Sequence, residues 1–222
     1  YLCIYKGLWM REKISNFDFR LKTLQNCIDK FNSAQLQTNL PESLKSSLVY
    51  SYDNLQNTHD LTSVFKEGIF AARELLDMIN KKLAYDFKGT VSGDFSKFFI
   101  GLANGNFSEI DSECIRFLSQ PKILKGIFMI RAIRNKLKKD VDLVFHCENF
   151  NQYYVTFDIQ YSNFEDLRKK IDNFDELVDI KNRNLIKNDN TPNRLQYKIF
   201  PTNFMKDLLT VFEHIKNECE YK

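Results

Sequence analysis

The chain has 222 residues, of which 43% are hydrophobic and 14% aromatic; that is enough for a packed core and excludes wholesale disorder. Its 7 glycines and 4 prolines are too few for the many turns of a sandwich or barrel, so long helices are favoured. The net charge of +3 selects no partner by itself, and no apolar run reaches the roughly 18 residues of a membrane span.

In chain order, Ile14, Phe17, Leu21, Leu24, Ile28 and Phe31 recur every three or four positions, which predicts an amphipathic helix from Leu8 to Phe31, ended by the polar stretch Asn32–Asn39. Pro41 suits a first helical turn, and a helix is expected from there to about Asn57. The next element carries the clearest pattern: Phe65, Ile69, Ala72, Leu76, Ile79 and Leu83 form one stripe, with Asp60 as its expected cap and Arg73 paired with Asp77. A loop at Gly89–Gly93 leads to a short helix at Asp94–Ala103, closed by Asn104-Gly105-Asn106, and Ser108 is expected to open another.

Pro121 begins a helix expected to run to about Lys139. Between Cys114 and Lys139 stand eight basic residues and no acidic one, which leaves the rest of the chain at −5 against the total of +3. Such an island attracts phosphate, and equally suits a solvated helix face. Counted at ~100° per residue, Ile123, Ile130, Ile133 and Leu137 share one face. Leu124, Ile127 and Phe128 share another with Arg131, Arg134, Asn135 and Lys138. A helix apolar on two sides is either buried on both or uses one for a second subunit.

Beyond Asp140 the period changes to two. Val141, Leu143, Phe145 and Cys147, then Tyr153, Val155, Phe157, Ile159 and Tyr161, predict a β-hairpin over about 141–161. Helices are expected over about 164–219, from Phe164 to Val178 and from Asn203 to Cys219, with an Asn-rich polar loop from Lys181 to Arg194 between them. The fold class is therefore mainly α: one domain over 1–222, an antiparallel helical bundle with an appended small β-hairpin.

Five cysteines, at 3, 27, 114, 147 and 219, have no metal-ligand spacing and an odd number, so they read as buried thiols in a reducing, cytoplasmic setting. No metal and no cofactor are expected. Phosphate-binding loops, dinucleotide fingerprints and nucleophile elbows are absent from the sequence. The acidic cluster Asp172, Asp175, Glu176 and Asp179 reads as a solvated helix face.

The segment Ile130-Arg131-Ala132-Ile133-Arg134-Asn135-Lys136-Leu137-Lys138-Lys139 resembles the signature helix of the HEPN superfamily. These are helical-bundle proteins, many of them RNA-cutting toxins or phage-defence effectors. Phe70-Ala71-Ala72-Arg73-Glu74-Leu75-Leu76-Asp77 resembles the earlier long helix of some bacterial members, so the resemblance spans about 60–157. The family signature is Arg, often followed by Asn, then four to six residues, then His. After Arg134 the permitted positions hold Lys139, Asp140 and Val141, so the motif histidine is missing.

The resemblance implies a HEPN-like homodimer, non-catalytic or weakly catalytic, that binds RNA or nucleotide through Arg131, Arg134, Asn135, Lys138 and Lys139. A toxin–antitoxin or phage-defence setting is also implied. Two alternatives stay open: a helical protein–protein interaction or regulatory protein with a protein partner and no nucleic acid, and a metal-independent endoribonuclease. In the second, Arg134 with Lys139 or His146 would be the catalytic candidates. A lysine is a poor base near neutrality unless its pKa is strongly lowered.

Overall fold

The structure is a computed structural model that describes residues 2–37, 49–51, 58–138, 143, 145–148, 152–160, 164–177, 185–188 and 191–218. The fold is mainly α with an antiparallel sheet. Helix α1 spans Leu2–Gln37, followed by strand β1 at Val49–Ser51 and helix α2 at Thr58–Asp86. Three helices come next: α3 Phe95–Ala103, α4 Glu113–Leu118 and α5 Pro121–Leu137. Strands β2 (Phe145–Glu148) and β3 (Gln152–Gln160) precede the short helices α6 (Glu165–Arg168) and α7 (Phe174–Leu177). The chain closes with β4 (Leu185–Asn188), β5 (Thr191–Ile199) and α8 (Pro201–Glu218).

Helix α2 is the hub and touches α1, α3, α5 and α8. Its predicted stripe, Phe65, Ile69, Ala72, Leu76, Ile79 and Leu83, is buried along its whole length. Facing it on α1, Phe17, Leu21, Leu24, Ile28 and Phe31 are buried too. Gly68 lets α8 come close, since a Cβ there would lie 2.6 Å from Met205 Sδ. Exposed pairs Lys30–Glu67 and Lys216–Asp18 flank the seams at 3.6 and 2.7 Å, and such pairs add little stability. Among the described residues no helix is long and apolar enough to cross a membrane.

The expected hairpin is β2–β3, and it is the centre of a larger sheet. Five antiparallel strands run in the order β1-β2-β3-β5-β4. The register sets Phe145 opposite Val155, Val155 opposite Ile199 and Phe157 opposite Tyr197. These five side chains are buried. Together with Phe31 of α1, whose ring centroid lies 5.8 Å from that of Phe145, Phe65 of α2 bridges the layers. Its ring stacks on Phe157 at 5.9 Å and meets Phe145 edge-on at 6.4 Å, while Phe31 of α1 stands 6.5 Å away.

Several expectations are corrected. The helix expected over Pro41–Asn57 is strand at Val49–Ser51, where a β-branched and an aromatic residue pair with β2; the remainder of that segment lies outside the described residues. Helix α1 runs through the polar residues to Gln37, as no Gly or Pro stops propagation. Helix α2 starts at Thr58, so Asp60 is inside it. Helix α4 is capped by Ser112, whose hydroxyl accepts from Ile115 N at 3.4 Å, and not opened at Ser108.

The single helix expected from Phe164 is split into α6 and α7. Asn104 stitches the break, donating to Lys170 O at 2.7 Å and accepting from Asp172 N at 3.4 Å. The predicted loop Lys181–Arg194 instead holds β4 and the start of β5, with Pro192 near the strand's beginning.

Phe65→Ala removes one of the two rings that join the layers. We expect a loss of about 3–5 kcal/mol, the range for a buried aromatic cut to alanine, read as a fall in the denaturant midpoint. A midpoint equal to the parent's would mean that the two layers do not depend on this ring.

Candidate anion-binding site

Helix α5 begins at Pro121 and is capped at its end by Lys138, with Arg134 and Lys136 in the last turn, where cations suit the helix dipole. Both of its apolar faces are used inside the chain: Leu124, Ile127, Phe128, Ile130, Ile133 and Leu137 are all buried. Phe128 packs on Phe164 and Phe174, with ring centroids 5.1 and 5.6 Å away. The Leu124–Ile127–Phe128 patch is therefore core and not a seam open to a second subunit.

The predicted basic residues divide. Asn135 and Lys138 are exposed, whereas Arg131 and Arg134 are half-buried. Lys139 lies outside the described residues. The backbone of His146 lies in β2, opposite Tyr154 and Ser51, and its side chain is outside the described part.

Sequence reasoning missed the third guanidinium. Arg73, on α2, keeps only 13% of its side chain exposed and holds Asp77 with two parallel bonds, Nε to Oδ2 at 3.2 Å and Nη2 to Oδ1 at 2.9 Å. Its other side lies flat on the Phe95 ring, 3.4 Å from the centroid. Burial pushes the Arg73 guanidinium below its ordinary pKa, Asp77 pulls it back, and the nearby charge of Arg134 lowers it again. Arg131 is lowered in the same way, by burial first and then by Arg73, while Asp94 opposes. Arg73 thus feels both arginines of α5. Guanidinium groups stay charged at neutral pH even so.

Asp77 acts on Arg73, Asp94 acts on Arg73 and Arg131, and both carboxylates have other work. Asp77 is engaged bidentately by Arg73, and Asp94 caps α3 by accepting from Lys97 N at 2.9 Å. Arg134 has no ion pair among the described residues, and its Nε is buried with no hydrogen-bond partner there. A half-buried cluster of like charges with an unused donor is costly unless an anion joins it. Guanidinium forks match phosphate and carboxylate oxygens in pairs.

Among the described residues the candidate bases beside this cluster are the two engaged carboxylates, Asp77 and Asp94. His214 packs on Phe117 with ring centroids 4.2 Å apart, where α8 meets α4. Cys27 and Cys114 are buried free thiols, and burial, with Glu67 adding, pushes the Cys27 thiol up to about 12. In the acidic cluster, Asp175 pairs with Arg168 at 2.8 Å; Asp179 lies outside the described residues. No group of three or more His, Cys, Asp or Glu that could hold a metal occurs among the described residues.

No family model, curated protein or solved structure matches the chain.

Asp77→Ala leaves Arg73 on its ring without a carboxylate. The expected loss is about 1–2 kcal/mol, low in the range for a charged hydrogen-bond partner because Asp77 keeps 35% of its side chain in water. Inorganic phosphate should restore part of the lost melting temperature. A variant as stable as the parent would show that Asp77 does not neutralise the cluster.

Proposed function

We propose that the chain binds the phosphates of RNA or a nucleotide on the arginine side of α5, without catalysing cleavage. The observation that carries this reading is the half-buried set Arg73, Arg131 and Arg134, with Arg73 repelled by each of the other two and the Nε of Arg134 buried without a partner among the described residues. Exposed Asn135 and Lys138 continue the positive strip towards the helix end. A phosphate seated among the guanidinium groups would relieve their repulsion, and the flanking lysine would follow the backbone of a longer strand.

The resemblance of this helix to the HEPN signature supports the same ligand class. The missing motif histidine argues for binding without turnover, and Lys139 and His146 are given no catalytic role. Pairing of two copies, which the resemblance also implies, would have to use the exposed end of α5, because Phe128 and its neighbours are core.

The test is binding of a short single-stranded RNA across a salt series. Arg131→Ala with Arg134→Ala should weaken binding about tenfold or more at low salt and flatten the log–log salt slope by roughly one for each phosphate that is no longer neutralised. Lys138→Ala should flatten the slope with a smaller drop in affinity. A parent chain that ignores RNA and nucleotides at low salt would favour the protein-interaction reading, and RNA cleavage abolished by mutating Arg134 would favour the ribonuclease.

A further inference from the structure

The first turns of α5 also line a cleft of about 420 Å³ whose other walls include α8 and the end of β5. That volume lies in the range of small-molecule sites, roughly 300–1,000 Å³. Its walls are mostly apolar, and Ile123, Phe200, Phe204 and Val211 remain only half-buried there. None of Arg73, Arg131 and Arg134 lines the cleft.

Gly126 is the telling residue. Two other helical glycines, Gly68 and Gly101, are explained by packing, since a Cβ would lie 2.6 Å from Met205 Sδ at Gly68 and 2.5 Å from Phe107 Cζ at Gly101. At Gly126 a Cβ would meet nothing within 4 Å. A glycine in mid-helix weakens the helix relative to alanine, and no neighbour among the described residues requires it. What it does is keep the cleft wall flat and open. The polar lining is biased to one sign: Lys122, Lys125 and Lys198 against Asp207, with Asn203 and Tyr197 neutral. Lys198 is held beside the lining, its ammonium 5.1 Å from the Phe200 ring centroid and 4.2 Å from that of Tyr154.

We infer that the α5–α8–β5 cleft binds a small amphiphilic anion, an apolar chain lying along Gly126 with a single carboxylate at the lysine rim. The apolar body covers the half-buried side chains, and the head meets the positive excess. This site is separate from the phosphate site proposed above and stands whether or not RNA binds.

The experiment is calorimetric titration of the full chain with dodecanoate below its micelle concentration, with dodecylamine and butyrate as probes of the head and the chain. Dodecanoate should bind saturably with one site per chain, and neither control should bind at the same concentration. Gly126→Phe should abolish the heat while keeping the parent's circular dichroism. Phe204→Asp, at a half-buried wall position packed on the edge of the core, should abolish it too by setting a carboxylate in the cleft, again with the parent's circular dichroism. Gly126→Ala should bind and melt no lower than the parent. Absence of dodecanoate binding, equal binding of dodecylamine, many weak sites per chain, or retention of the parent's affinity by Phe204→Asp would each overturn the assignment.

Discussion

The contact on which the rest of the structure depends is the meeting of Phe65 with Phe31, Phe145 and Phe157. In helix α2, Phe65 is where the buried stripe meets Phe145 and Phe157 of the sheet. Aromatic rings bury large areas and prefer offset or edge-on geometry, so a cluster like this fixes orientation as well as distance. With α2 set against α1 and the sheet, α5 packs on α2 and carries Phe128 onto Phe164 and Phe174. Both of its apolar faces are then consumed by the chain itself.

That placement creates the electrostatic problem on which the functional reading rests. The arginines of α5 are neither core nor fully exposed, and they meet Arg73 coming from α2. Lysine in the same positions could extend its charge to water, whereas a rigid planar guanidinium packs flat, as Arg73 does on Phe95. The arrangement retains charge in a half-dry setting with two carboxylates that are already engaged, which suits a site that completes its own neutralisation by taking up an anion.

The stripe Phe65–Leu83 and the alternation Tyr153–Val155–Phe157 were legible in the sequence because burial on one face imposes a period on the chain itself. The strands β1 and β4 were not: three or four residues cannot display a period, and β1 takes its pairing from β2, far away in sequence. In β5, Leu195, Tyr197 and Ile199 did offer a period of two, masked by the Asn-rich stretch before them. On α5, Arg131 and Arg134 stood out by charge, while the burial of Phe128 waited on Phe164 and Phe174, which belong to other elements. Arg73 looked complete in its pair with Asp77; that it also faces α5 is a tertiary fact with no local signature.

We propose that the Arg134 guanidinium is an anion ligand. This is tested most directly by following the arginine side-chain Nε–Hε resonances of isotope-labelled protein during titration with a short oligoribonucleotide. The account predicts that the Arg134 resonance moves saturably at the lowest ligand concentrations, together with those of Arg73 and Arg131. Movement confined to the backbone amides of Asn135 and Lys138, with the arginine resonances unchanged, would contradict it.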